Sequence, residues 1–582
     1  MPPAAPVTTA TFPSRPFSAM SLLRSIEPVP APLHPSPSPV PTADHGDMVT
    51  RAGVVIPACP GAGRVRCRVS LGPRGSSRTA LEERPAGERP RVREPSGIAR
   101  WWRGTGTPAQ RKALVAILAV ALSLRVVWCV YAADIPVVGD PAQYHIQAVQ
   151  IARGEGYNSA TVYWQRIARA VVSRSNAVPG HDVPTAIGPP GYPATLGALF
   201  WLVIHSPLPD NFVAAAVALN VALGVATILM AFEIMRRLFD TRVALVAAAV
   251  LAVYPNLVFH TATLHWETTF IFVAMAALLV LLGRPWPGGR VPNRRLLAFA
   301  ALFGCSVLIR PIAWPMVLLL ALAARLEGSS LRRALAQCGI VVAVVGLIVL
   351  PWTIRNIVKL HSPVVISTGY GAALCMARHP GASGGNSVLE SAAARENMRR
   401  YCVPPTKGIA PEDQEVREND YAMSQAITFV VHNPAREVRQ WPTRIRLAYR
   451  DDHDALEDVG PFIAPGTGTT LAKVGDWFFF VTLGLAAVGV SRSAGRRTGR
   501  HWFLLLTAAS LASTPILLYG APRYKVPATP LIAMIAAVGL VSLADRVTGT
   551  PADSTPRTRP QDSFDGPAGV AGKSGDRSTS SP

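Results

Sequence analysis

LLAFAALFGCSVLIRPIAWPMVLLLALAA, residues 296–324, carries one charged residue, at Arg310-Pro311. A membrane helix takes about 20 residues, so the stretch is too long for one straight crossing and short for two. Proline interrupts a helix and arginine seeks an interface, so the pair reads as a tight hairpin between spans at 296–309 and 311–324. The parity of every crossing on either side depends on that turn.

Outward from the hairpin, hydropathy predicts eight further spans, at 113–133, 211–232, 241–258, 266–283, 334–353, 473–490, 502–519 and 526–543. A chain of 582 residues that is 49% hydrophobic and 16% charged fits this reading. It is an all-α polytopic membrane protein of about 10 spans. The net charge of +22 sits beside the spans rather than on an aromatic-interleaved patch, which argues against a nucleic-acid partner.

Arginine then sets the orientation. The connections 233–242, 284–295, 325–333 and 491–501 hold 14 Arg against 3 acidic residues, as cytoplasmic loops do. The stretch 354–472 balances 13 basic with 13 acidic residues, as expected of a translocated segment. This topology requires that GYPATLGALFWLVIHS, 191–206, not cross, and it is predicted as a juxtamembrane helix on the outer face. The resulting plan has a disordered basic cytoplasmic arm (1–110) and a membrane core (111–353) with a first outer loop at 134–210. An extracytoplasmic loop domain (354–472), C-terminal spans (473–545) and a disordered cytoplasmic tail (546–582) follow. No apolar run follows the early basic residues as in a cleavable signal peptide, and Met48 is an alternative start. The protein is expected in the plasma membrane, both termini cytoplasmic.

Within the outer loops, Cys375 and Cys402 share one segment in which an oxidising compartment permits a bridge, or they are two free thiols. Asn433-Pro434 reads as a helix start. It opens AREVRQWPTRIRLAYR, 435–450, an interfacial helix kinked at Pro442 or part of a small soluble subdomain. The acidic run DDHDALED, 451–458, contains a DxD-like triplet, Asp452 to Asp454. It reads as a solvated turn bordering an acceptor groove.

The residues able to do chemistry gather just outside the spans. Asp140 is a good helix N-cap before Pro141, with Gly154 at the far end, or else a general base beside the membrane with Tyr144 one turn on. Glu267 is a carboxylate favoured at a helix N-terminus or a second site acid. With His260 and His265 it could hold a divalent metal, although no cofactor is firmly implied. Arg310, Arg355 and the turn Arg523-Tyr524-Lys525 are interface anchors or grips for a phosphate.

GDPAQYHIQAVQIARGEGY (139–157), GPPGYP (188–193), RRLFD (236–240), YPN (254–256), WETTF (266–270), PWTIRN (351–356), ISTGYGAALCMARHPGASG (366–384) and PRYKVPATP (522–530) follow in that order. Together they resemble an integral-membrane glycosyltransferase of the GT-C superfamily, nearest the family 39 type with its protein O-mannosyltransferases and bacterial lipid-modifying transferases. The resemblance covers about residues 111–545. It implies a GT-C-like bundle that moves a sugar from a polyprenyl-phosphate carrier to an envelope acceptor, usually with inversion. It also implies that Asp140 is catalytic and that Glu267 is the second acid of the site; the leaving phosphate of such a transfer needs positive charge, for which Arg310, Arg355, Arg523, Tyr524 and Lys525 at the outer span ends are the candidates, with Tyr144 and His265 beside the two acids as further substrate contacts. Many lipid-modifying relatives have Lys before the Pro-Pro pair where this chain has Gly188, which weakens assignment to the lipid A subgroup. The competing readings are a transporter or flippase and a glycan polymerase. No internal repeat of the transporter kind is found.

Overall fold

The computed structural model of the protein describes residues 101–549 apart from 103, 138, 160–182, 208, 210, 406–408, 410, 458 and 494–497. The arm up to residue 100 and the tail from 550 lie outside the described residues.

Helix dominates. In chain order the helices are α1 (Pro108–Tyr131), α2 (Asp140–Ala152), α3 (Gly191–Ile204), α4 (Phe212–Leu238), α5 (Thr241–Ala252), α6 (Pro255–Phe259) and α7 (Glu267–Leu282). Then come α8 (Asn293–Ile309), α9 (Pro315–Leu326), α10 (Leu331–Leu360), α11 (Gly369–Cys375), α12 (Ser387–Glu390), α13 (Ala392–Cys402), α14 (Pro411–His432) and α15 (Pro434–Ala448). Last are α16 (Asp454–Glu457), α17 (Pro465–Ser493), α18 (Gly499–Ala512), α19 (Thr514–Leu517) and α20 (Thr529–Val547). Among the described residues the strands are β1 (Asn158–Ser159) and β2 (Val183–Pro184), paired antiparallel.

The ten expected spans all fall on helical segments, but 241–258 is split between α5 and α6 and 502–519 between α18 and α19. Five helical stretches are long and apolar enough to cross a membrane: Pro108–Tyr131, Phe212–Leu238, Leu331–Leu360, Gly466–Arg492 and Pro522–Val547. Proline shortens several of the others: Pro255 separates α5 from α6, and Pro311 and Pro315 separate α8 from α9. Outward-facing Val127, Leu318, Leu347 and Trp477 are each at least two-thirds exposed. Apolar surface on that scale is what a bilayer covers in an integral membrane protein. Close helix contact is glycine-dependent: a Cβ at Gly489 would strike the Ile535 carbonyl, and one at Gly539 the Leu485 carbonyl, so α17 and α20 touch backbone to backbone.

The loops 134–210 and 354–472 share one face. Glu415 on α14 accepts from Thr185 Oγ1 (2.5 Å), the Ala186 amide (2.8 Å) and Thr368 Oγ1 (2.5 Å). α10 runs two turns past the expected end at 353, and from those turns Arg355 donates to the carbonyls of Tyr157 (2.6 Å) and Thr185 (2.7 Å). Cys375 and Cys402 are bridged, fastening α11 to α13. α15 begins at Pro434 as expected, but Asn433 makes no side-chain cap and Pro442 sits inside an unbroken helix. Its buried Glu437 accepts from Arg378 (2.8 Å) and from both Nη atoms of Arg444 (2.6 and 2.8 Å). The two arginines also donate to the carbonyls of Ile516 and Leu518. The amide of Gly520 donates to the Gly384 carbonyl (2.8 Å), where a Cβ would lie 2.7 Å from the Arg444 oxygen. The segment leading to Arg523 is therefore bolted to the loop layer.

Candidate active site

Asp140 is the first residue of α2, not its cap. Gly139, at φ 66°, holds the cap position, where a left-handed backbone suits glycine. Asp140 makes no capping bond, so the capping expectation fails and its carboxylate is directed elsewhere. It accepts from Arg523 Nη1 at 2.7 Å with 41% of its side chain exposed. Among the described residues, its other oxygen takes no hydrogen bond.

Arg523 lies in the 3-10 segment Pro522–Ala528 ahead of α20. Its Nε donates to Glu267 Oε1 (2.5 Å) and its Nη2 to His265 Nδ1 (3.0 Å). Arginine is always a donor, so His265 accepts at Nδ1 and is the neutral Nε2–H tautomer. Glu267, the first residue of α7, is fully buried, and its Oε2 has no hydrogen-bond partner. One guanidinium thus joins two carboxylates and an imidazole from two separate segments, the start of α2 and the start of α7.

Beside this cluster stands a second cation. Arg310 follows α8 in extended conformation and stacks over Trp266, 4.8 Å from the ring centroid. Arg523 lies 5.6 Å from the same ring. The Arg310 Nε is buried without a hydrogen-bond partner, and no carboxylate pairs with it among the described residues. Tyr370 on α11 has a buried hydroxyl likewise unpartnered. Gly191 fixes this corner: a Cβ there would lie 2.7 Å from the Ile309 amide nitrogen, so the start of α3 meets the end of α8. Buried polar groups without partners are costly, and a cation with a hydroxyl in that condition suits an anionic ligand.

Burial pushes the Tyr144 hydroxyl up to about 12, so it is a neutral donor, and its ring meets Tyr192 edge-on at 5.4 Å. Burial pushes the Asp140 carboxyl up, but the Arg523 guanidinium bonded to it, with Arg310 nearby, outweighs this and leaves the group below the usual range.

Other expected site residues are engaged elsewhere. Arg355 holds loop carbonyls and stacks on Trp352 at 4.9 Å. Tyr524 is buried with its ring edge-on to Tyr519 at 4.9 Å. Lys525 pairs with Asp452 at 3.0 Å, both side chains fully buried. That pair corrects the reading of 451–458 as a solvated acidic turn. Asp452 also accepts from Tyr254 (2.9 Å) and Asn256 (3.2 Å), and Asp454 from Asn256 (2.7 Å). Adjacent carboxylates in sequence suggest water, whereas Lys525, Tyr254 and Asn256 reach them only through the fold. Among the described residues no group of three His, Cys, Asp or Glu side chains is placed to hold a metal, and His260, His265 and Glu267 do not converge as a ligand set. Sequence reasoning also missed Tyr370 and Trp266, although both stand inside the quoted motifs.

Residues 195–354 match the family model described as dolichyl-phosphate-mannose-protein mannosyltransferase. No curated protein matches. Among solved structures, the oligosaccharyltransferase AglB from Archaeoglobus fulgidus, in complex with an inhibitory peptide and a dolichol-phosphate, is 15% identical with a TM-score of 0.43, covering 78% of this chain and 51% of that one. ArnT from Cupriavidus metallidurans bound to undecaprenyl phosphate is 14% identical with a TM-score of 0.31, covering 75% of this chain and 78% of that one. The chain spans about half the length of the archaeal protein.

Proposed function

We propose that this chain is a GT-C glycosyltransferase that moves a sugar from a polyprenyl-phosphate carrier to an acceptor hydroxyl on the extracytoplasmic face. The observation that carries the reading is the convergence of Asp140, Glu267 and His265 on Arg523, beside the unpaired Arg310. Membrane glycosyl transfer agrees with the family match over residues 195–354. The Cys375–Cys402 bridge supports the sidedness, because such bonds persist in oxidising compartments.

Asp140 orients the acceptor hydroxyl and takes its proton on the oxygen that Arg523 does not hold. The acceptor oxygen attacks the anomeric carbon as the bond to the phosphate oxygen breaks, leaving its electron pair on the phosphate. Attack opposite the leaving group inverts the anomeric centre. Arg310, with the Tyr370 hydroxyl, meets the charge that develops there. Arg523 keeps the two carboxylates ionised and apart.

The test is an Asp140→Asn variant in membrane vesicles supplied with a panel of radiolabelled polyprenyl-phosphate sugars. Transfer by the wild type and its loss in the variant are expected. Full transfer by the variant removes Asp140 from the mechanism, and movement of intact carrier without transfer establishes a transporter instead.

A further inference from the structure

We propose that Lys525 and Asp452 are positioning residues of this site: their buried ion pair fixes the roll of the turn Pro522–Ala528 and so aims the Arg523 guanidinium at Asp140. The inference rests on the transferase reading and gives Lys525 a task other than the substrate contact expected from the sequence.

Arg523 and Lys525 leave the same 3-10 turn two residues apart. At three residues per turn their side chains project about 120° from each other. Arg523 accordingly reaches the starts of α2 and α7, whereas Lys525 reaches the segment ahead of α16. The Lys525 Nζ lies 3.0 Å from Asp452 Oδ1 and donates to the carbonyls of Asp451 (2.7 Å) and Pro522 (3.4 Å). These bonds use every proton of the ammonium, and the last closes on the residue before Arg523. Asp452 is itself held from the start of α6 and from α17. Tyr254 donates to its Oδ2 (2.9 Å) and Asn256 to its Oδ1 (3.2 Å), while its amide donates to Asp476 (2.6 Å). A Cβ at Gly475, beside Asp476, would lie 3.0 Å from the Asp452 carbonyl oxygen, so α17 also presses on this backbone.

The two ends of the turn differ in how firmly they are held. Lys525 and Asp452 are fully buried, and parting them would leave each charge bare in a medium of low dielectric, which such pairs resist strongly. The Arg523 side chain is 25% exposed and that of Asp140 41%, so water can replace either as a partner. An arginine side chain reaches one partner from many backbone orientations, but few bring a single rigid fork to Asp140, Glu267 and His265 at 2.5–3.0 Å together. The firmly held end selects one of those few for the looser one. With the Lys525–Asp452 pair removed, the turn can roll, the three bonds lengthen, and the Asp140 carboxylate is free to swing from the acceptor hydroxyl.

The experiment measures kcat and KM of the full chain in lipid nanodiscs, with the radiolabelled polyprenyl-phosphate sugar of the panel that the wild type transfers. Lys525→Met together with Asp452→Asn removes both charges at nearly constant volume, so neither is left bare. Its kcat is expected to fall about 10²-fold with KM little changed, the cost of about 1 Å of misplacement at a reacting group. The same two substitutions in an Arg523→Gln background should lower kcat no further, because the residue they act through is gone. Thermal unfolding checks each variant. Should the paired variant not fold, Tyr254→Phe, which loosens Asp452 without uncovering a charge, is compared in the same two backgrounds. It should lose about fivefold in kcat where Arg523 is present and nothing where it is absent. A folded variant with wild-type kcat, or an equal loss in both backgrounds, marks a purely structural pair and overturns the proposal while leaving the transferase reading intact. A wild type that transfers no sugar of the panel overturns both.

Discussion

Asp140 is expected to tolerate no neutral replacement. Asp140→Asn should lose about 10²–10⁴-fold in transfer while keeping its fold, read as initial rate against thermal midpoint. Because Arg523 holds the Asp140 carboxyl below its usual range, the acid limb of kcat/KM should lie below about pH 4. The ion pair contributes stability above the unfolded value and loses it as pH falls through the folded one. Arg310→Ala should cost about 10²–10³-fold if, as proposed, its charge meets the leaving phosphate, since no carboxylate among the described residues shares it. Charged residues at span ends are legible in sequence, which is why Asp140, Glu267, Arg310 and Arg523 could be singled out. Their pairing was not. Nothing in PRYKVPATP says that Arg523 faces α2 and α7 while Lys525, two residues on, faces Asp452.

At the scale of elements, glycine decides which helices meet. Gly489→Leu should force α17 from α20 and cost at least about 1–3 kcal/mol, seen as a lower thermal midpoint, because its Cβ direction is filled by the Ile535 carbonyl. Gly191→Leu should instead damage the site with little global unfolding, since it separates the start of α3 from the residues that precede Arg310. The apolar period of the helices was readable, and so was the hairpin at Arg310-Pro311. The overrun of α10 to Leu360 was not, because PWTIRN carries both a proline and an arginine that suggest an end. Arg355 stays helical there because Tyr157 and Thr185 accept its protons.

At the scale of the molecule, the loop layer is joined to the long helices by polar contacts and braced within itself by one covalent bridge. Replacing Cys375 and Cys402 with serine should destabilise that layer by about 2–4 kcal/mol, detected as faster proteolysis between α11 and α13. The Arg378–Glu437–Arg444 triad should be less tolerant, since removing Glu437 leaves two buried guanidinium groups without their anion. The same triad holds the carbonyls of Ile516 and Leu518, and Gly384 holds Gly520, three residues before Arg523. The short segment from Gly520 to Arg523 is therefore anchored at one end in the loop layer and at the other on the Asp140 and Glu267 carboxylates. Loosening the triad should therefore disturb the Arg523 cluster although, among the described residues, no member of the triad touches it.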